Sequence, residues 1–425
     1  MLATAAAAIF SIAACSEKLS GGASCPLLCP EQSAQLHDTT VLGVAYDTTI
    51  VGLPPIGAEN FLMLASHGDT LDTRVIVRFD TLPQTFTAGN GADSTISHLD
   101  SAILIIPVVK PDTAHRPKTP ITIEAYNVDS FPPDSVTLPT DTVSSVLATL
   151  FRPGRLIGSK TFAPESLLDT LSMSIATDTV LNRVVKGKPL RVGFRLVTPS
   201  GQGYDLQIGS TQTAFPVTLK LKTSKDTATH PLMVTPLSHT PLNEDFLSGP
   251  LADYSIVVKG GFATPGNLIG VGGVPARRTL IRFNIPSRIV DSTTIVRASL
   301  LLTQVPNRRV ALKDSIYVFP SAILAQSSIT DVRTLLQFVS VAGQFGLDSV
   351  LIAPGDSGVK SFEIVNLVRT WHGNSSAISP RAIALRATTE GAAPGEVDFF
   401  SSRSPVALQP RLRIIYVPQT RFGLP

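Results

Sequence analysis

The sequence predicts an all-β protein made of two tandem jelly-roll-like β-sandwich domains with short crossover helices. Three observations predict it. Short runs of alternating apolar and polar side chains recur between turn residues, as strands with one buried face require. Thirty glycines and 33 prolines punctuate the 425 residues, and aromatics make up only 6%, a turn-rich β composition rather than a helical one. The strand-like runs of the second half also repeat the order of the first.

Length alone allows about two or three domains at roughly 150 residues each. Apolar residues reach 43% and the formal net charge is +3, so most of the chain can fill cores and is not disordered. Thirty-five basic residues nearly balance 32 acidic ones. No basic run stands out, which disfavours a nucleic-acid partner.

At the amino terminus Leu2 to Ala14 (LATAAAAIFSIAA) is an apolar run ending at Cys15. It is shorter than the roughly 20 residues of a transmembrane helix and suits the apolar region of a signal peptide. Ile12-Ala13-Ala14-Cys15 resembles a bacterial lipobox. That resemblance implies a lipoprotein signal peptide over 1–15 with lipid on Cys15, whose acyl chains would hold the protein to the membrane. Ser16 after the cysteine implies the outer membrane or cell surface.

Residues 16–40 are a Ser/Gly/Pro-rich flexible tether containing Cys25 and Cys29 (SCPLLCP). In an exported protein these two can form a disulfide; two free thiols or a redox pair are the alternatives. A structural metal site needs about four ligands, and only His37 is near. No metal and no cofactor are expected.

Beyond the tether the strand candidates are Thr73 to Asp80 (TRVIVRFD), Ser101 to Pro107, Ile121 to Val128, Leu190 to Val197 and Pro216 to Thr223. The second half answers with Thr279 to Asn284 (TLIRFN), Ala298 to Thr303, Ser315 to Phe319, Ala382 to Ala387 and Pro410 to Val417. The spacing is nearly constant: 204 from Arg78 to Arg282, 198 from Ser101 to Ser299, 191 from Phe194 to Leu385 and 194 from Pro216 to Pro410. This reads as duplication of a domain-sized unit. Residues 41–223 form domain 1, a degenerate repeat, and 251–418 form domain 2. Between them 224–250 carry four prolines and little β pattern, as a linker does. Ser328 to Ala342 places Val332, Leu335, Leu336 and Val339 on one helical face behind a Ser328 N-cap. Asp141 to Phe151 holds the corresponding place in the first half. Both are expected as crossover helices.

In the second half, Asn267 to Gly272, Leu280-Ile281-Arg282-Phe283-Asn284-Ile285-Pro286 and Ala298 to Leu302 occur in that order. Ile364 to Trp371, Ile383 to Arg386, Ser401-Ser402 and Pro410 to Tyr416 follow. In this order they resemble the DNRLRE family, carbohydrate-binding-module-like β-sandwich domains of secreted bacterial proteins. The resemblance spans residues 253–417. Arg381-Ala382 stands where that family carries a glycine. The first half keeps Arg78-Phe79-Asp80, but Val185 stands where Trp371 would be. Arg78 and Arg282 are expected at strand edges, pairing with a carboxylate or with carbonyls, and Trp371 as a core plug beside Leu367 and Val368.

Motifs of catalysis are mostly refused. Gly355-Asp356-Ser357-Gly358 copies a serine-protease segment, yet no histidine motif accompanies it and turn formers explain it fully. Ser357 to Lys360 fits S-x-x-K, which must open a helix, whereas Val359 to Ile364 alternates like a strand. Acids such as Asp69, Asp72, Asp134, Asp141 and Asp178 sit beside Thr or Ser in turns. No catalytic residue is therefore assigned, and the ligand-binding residues are not read from the sequence.

The resulting expectation is a non-catalytic, lipid-anchored cell-envelope protein in a structural or interaction role. Its partners would be the membrane, through the lipid, and a polysaccharide or another envelope protein. Glycan binding, which the resemblance implies, is the alternative. One Trp and six Tyr supply few stacking platforms for it. A polysaccharide-active enzyme is the least supported reading, and a cleft of ionisable groups would revive it.

Overall fold

Where apolar side chains alternate along an extended backbone, they fall on one side of the pleat and can be buried together. Ser101–Pro107 does this cleanly, with Ala102, Leu104 and Ile106 buried and their neighbours half-exposed. The computed structural model describes residues 36–52, 57, 59–88, 91–109, 111, 115–128, 145–223, 231–237, 252–260, 265–310, 314–323, 349–372, 381–388 and 390–418.

Two strands come first, β1 (His37–Val41) and β2 (Val44–Gly52). The first lobe follows with β3 (Phe61–Ser66), β4 (Asp72–Phe79), β5 (Thr85–Thr87), β6 (Asp93–Thr95), β7 (Ser101–Pro107) and β8 (Ile121–Asn127). It continues through β9 (Leu156–Phe162), β10 (Thr170–Ser174), β11 (Leu190–Val197), β12 (Tyr204–Gly209) and β13 (Thr218–Lys222). Next come β14 (Leu232–Val234) and β15 (Asp253–Lys259). The second lobe holds β16 (Leu268–Gly272), β17 (Ala276–Phe283), β18 (Thr293–Val305), β19 (Ile316–Ala322) and β20 (Val350–Ile352). It ends with β21 (Gly358–Glu363), β22 (Ala382–Ala387), β23 (Glu396–Phe400) and β24 (Arg411–Pro418).

Each lobe is a sandwich. In the first, one sheet runs β12-β3-β4-β11-β8-β9, with β15 also on β4, and the other runs β10-β7-β13-β14. Leu64, Val77 and Phe194 of one sheet meet Leu104, Met173 and Leu219 of the other in a single core. In the second lobe the orders are β23-β16-β17-β22-β19-β20, with β2 on β17, and β21-β18-β24-β1. The long β18 reaches β23 at Gln304 and Val305 and so joins the two sheets. Strand for strand the two lobes have the same order. The all-β sandwich fold and its duplication are both present.

The strands beside β4 and β17 come from the opposite half. β17 pairs with β16 at one position, Gly272 opposite Arg277, and then turns its edge to β2 from Gly52 opposite Ala276 to Val44 opposite Phe283. β4 pairs with β3 at two positions and then takes β15 from the second half. The bonds at the two joints are the same. Gly270 N–H donates to Thr49 Oγ1 (2.9 Å) and Met63 N–H to Ser255 Oγ (3.1 Å). Thr279 and Thr73 donate back to the carbonyls of Gly270 and Met63. Asp47 accepts from Ser402 N–H (2.5 Å) and Ser402 Oγ (2.9 Å); Asp253 accepts from Thr211 N–H and Oγ1, each at 2.7 Å. Both aspartates are buried. The second sheets are completed in parallel fashion, with Val41 opposite Leu412 and Val234 opposite Leu219. Each half thus lends two strands to the other.

This corrects the domain boundaries. β1 begins inside the expected tether 16–40 and ends at Val41, and β14 lies within the expected linker 224–250. β2 falls inside 41–223 but serves the second lobe, and β15 falls inside 251–418 but serves the first. β2 buries only Asp47 and Ile50, three residues apart, and β15 buries Asp253, Tyr254 and Ile256, so neither left a period-2 signal.

β4 differs too: Thr73 to Phe79 are all buried, not every second residue. Its outer face is covered by Tyr254, Ile256, Leu147 and Phe151, and Arg74 lies 4.7 Å over the Phe151 ring. Residues 145–148 form a helical turn there, within the expected Asp141 to Phe151 segment. The helix Thr177–Val185 buries Val180 and Val184. The expected helix 328–342 lies outside the described residues.

Removing one joint should be costly. Asp47→Ala leaves the half-buried Ser402 N–H and hydroxyl without their acceptor and is expected to lower stability by about 1–2 kcal/mol, read from denaturant unfolding. A second prediction concerns pH. Burial pushes the Glu59 carboxyl up to about 7 and Asp253 up to about 6, and Glu59 Oε2 is buried without a partner. The folded state therefore keeps protons that the unfolded chain has lost, so this contribution is complete below about pH 4 and fades as pH rises through 6 to 7. Stability should fall by about 3 kcal/mol from Glu59 across that window. Glu59→Gln should flatten the profile, measured by unfolding at pH 5 and pH 8.

Candidate functional site

Between the lobes lies a cleft of about 860 Å³, within the range of ligand sites and at the kind of place where they form. Its first wall follows from strand register. β12 pairs with β3, Asp205 opposite Ala65, and the chain turns just after β3 at His67, whose N–H and carbonyl close the turn with Leu71 and Thr70. His67 Nε2 then lies 3.2 Å from Asp205 Oδ1. Gly203 makes this possible: a Cβ there would stand 2.2 Å from His67 Nδ1.

The facing wall belongs to the second lobe. His115 Nε2 lies 2.6 Å from Oδ1 of Asp314, which precedes β19, and Gln207 Nε2 donates to the Ala392 carbonyl at 2.7 Å. Both contacts cross between lobes. Tyr204 is buried in the floor; burial, and then the Asp205 charge, push its hydroxyl up to about 12. Arg116 lines the cleft with a buried Nε that has no partner, and Lys118 stands exposed at the mouth.

A smaller pocket of about 150 Å³ shares His67, Asp205 and Asp314 and reaches Arg309 and Glu396. There Arg309 donates to Glu396 (2.9 Å) and Asp398 (2.5 Å), and Arg277 also pairs with Glu396. Burial holds Asp398 above the usual carboxylate range and Arg277 below the usual guanidinium range.

Chemically the cleft offers hydrogen bonding. Two carboxylate-held imidazoles, an amide and a guanidinium stand on walls completed by Pro111, Pro117, Ile316 and Pro394. Thr70 donates to the carbonyl of His67, not to its ring. Among the described residues no three His, Cys, Asp or Glu converge as a metal site.

Of the residues singled out from the sequence, Cys15, Cys25 and Cys29 lie outside the described residues. Trp371 is 2% exposed and shares the second core with Leu367 and Val368. Val185, at its counterpart position, is 60% exposed, so the first lobe has no plug there. Arg78 bonds Asp80 (2.7 Å), which Arg191 also reaches (3.2 Å). Arg282 is a correction: it is exposed opposite Tyr46. Asn284 replaces the aspartate of the first half, so no carboxylate waits for it. Gly355-Asp356-Ser357-Gly358 is an exposed turn in which Asp356 pairs with Lys360 at 2.8 Å. No helix among the described residues is long and apolar enough to cross a membrane.

The cleft residues were not found from the sequence. His67 and Asp205, or His115 and Asp314, are joined only by folding, and no local motif marks them.

No known family profile matches this chain, and no curated protein matches it. Solved structures give distant likenesses. One is a protein of Parabacteroides distasonis ATCC 8503 described as secreted, at 9% identity over 89% of this chain and 99% of that one, TM-score 0.22. Another is the Macrobrachium rosenbergii nodavirus, at 10% identity over 94% of each chain, TM-score 0.17. A third is the M60 catalytic domain with the CBM51-1 and CBM51-2 domains from Clostridium perfringens ZmpB, at 9% identity over 88% of this chain and 38% of that one, TM-score 0.16. At such TM-scores none of them bears on function.

Gly203→Ala should force the His67 ring off Asp205 toward solvent while the fold persists, at a cost of about 1–3 kcal/mol. Changed ring chemical shifts of His67 by NMR are the expected readout; unchanged ones would show that the close approach is not what seats the ring.

Proposed function

We propose that this chain is an exported, lipid-anchored protein of the bacterial outer membrane or cell surface with a non-catalytic structural or interaction role. One observation carries the reading. Exchanged strands bind the two lobes into a single body, and the first of those strands begins at His37, a short tether beyond Cys15. Buried charges serve that body: Asp47 and Asp253 fasten the exchanged strands, and Arg278 holds Glu390 at 2.9 Å. The apolar run before Cys15 supports export and lipidation.

A second reading is glycan binding in the inter-lobe cleft, favoured by the hydrogen-bonding side chains set in its walls, Gln202 and Gln207 among them, and by the unpartnered Nε of Arg116. Sugars would be held there by hydrogen bonds rather than by stacking, since Trp371 is buried.

Palmitate labelling of the full chain tests the first reading. Label is expected on the wild type, with its loss and release into the soluble fraction for Cys15→Ala; unchanged membrane association of that variant would overturn the anchor. A polysaccharide pull-down tests the second, with retention expected to fall about tenfold for Arg116→Ala, which equals loss of one hydrogen bond to a charged group. Uniform absence of retention would discard the sugar reading.

A further inference from the structure

The slot beside β17 is filled by β2, which precedes the first lobe in the chain. Everything that fixes the segment there is local to it. Asp47 binds the Ser402 backbone and hydroxyl, Thr49 accepts from Gly270, Ile50 is buried against Leu280 and Ala384, and Val41 lies opposite Leu412. Asp38 adds an ion pair to Arg413. None of these contacts involves the first lobe.

The first lobe holds β15, which follows β13 and β14 in the chain, in the same slot geometry. β15 fastens beside β4 through Asp253 and Ser255 in the places of Asp47 and Thr49. The two inserts read Asp47-Thr48-Thr49-Ile50-Val51 and Asp253-Tyr254-Ser255-Ile256-Val257. The slot recognises a short extended segment, by main-chain pairing along β17 and a buried aspartate within it.

We propose that the slot of the second lobe also takes residues 37–52 of a second copy of this chain, so that copies link arm to lobe. A donated arm from another copy makes the same hydrogen bonds and buries the same side chains as the chain's own, which is why exchange of identical elements is a low-cost route to association. What favours the closed monomer is effective concentration alone, on the order of millimolar for a short connection. A crowded surface competes with that figure. Anchoring of copies in one membrane, as proposed above, would supply such crowding, but the exchange does not require it. Without an arm, β17 and β24 would each present an open edge, so an unfilled slot would seek an occupant.

Disulfide trapping in the full chain tests this. Tyr46 and Arg282 face one another across β2 and β17, and both are exposed. Cys25 and Cys29 are replaced by Ser. One chain carries Tyr46→Cys and a second carries Arg282→Cys, and the two are co-expressed at graded levels. A disulfide-linked dimer on a non-reducing gel is expected, its fraction rising with expression, and adding Asp47→Ala to the donor chain should reduce it about tenfold. The chain carrying both substitutions should close internally as a monomer, which reports that the arm and slot fold. Internal closure with no dimer from the mixed pair at any level would overturn the proposal. So would a dimer yield that Asp47→Ala leaves unchanged, because the link would then be collision rather than docking.

Discussion

The fold depends on a buried aspartate within each exchanged strand. β16 and β17, and likewise β3 and β4, leave their hairpins diverging, so each pair opens a gap that its own repeat does not fill. Asp47 and Asp253 enter those gaps and bind a backbone N–H and a hydroxyl in the loop beyond, at Ser402 and Thr211. A carboxylate withdrawn from water needs such partners, and a loop N–H turned inward needs an acceptor. The requirement is mutual. Each aspartate therefore fixes the register of its strand, because a slip of one residue would put it on the opposite side of the sheet. Neither sandwich is complete without a strand from the other half.

Around this shared joint the two copies have diverged in how they handle charge. The first holds Arg78 and Arg191 on Asp80. In the second, Asn284 cannot do so; Arg282 turns to solvent, and Arg381 donates to the Ile285 carbonyl instead (3.1 Å). The second lobe concentrates its buried charge at Arg277, Arg309, Glu396 and Asp398, beside the smaller inter-lobe pocket. The walls of the cleft are consequently unlike, with the His67–Asp205 pair on one side and this cluster behind the other. A cleft formed by unlike walls presents one orientation to whatever enters it.

Much of the fold was legible because burial on one sheet face imposes a period. Ser101–Pro107, Leu190–Val197 and Ala382–Ala387 form strands over the residues that the alternation marks, and Trp371 fills the core beside Leu367. The duplication was visible for the same reason. The exchange was not, because a sequence repeat states which segments are alike and not which partner each one takes. Asp47 and Asp253 each stand in a matching D-x-T/S-I-V run, yet an aspartate beside threonine or tyrosine reads as a turn residue until its acceptor role in a buried gap is seen. The cleft lay further out of reach. His115 and Asp314 meet only once both lobes are in place, and Gly203 matters for the side chain it lacks.

The pairing of β1 with β24 sets the first strand of the described fold against its last, with the His37 and Tyr416 rings stacked 5.5 Å apart. Topologically the molecule is a ring of two equal units, opened at one seam. Rejoining the ends near Tyr416 and His37 and cutting instead before β3 would turn β1 and β2 into the closing strands of the second unit, as β14 and β15 already are of the first. No hydrogen bond between strands would change, and the crossing of strands between halves would vanish. The interlocking is thus a matter of where the ring is cut, not of a different way of folding.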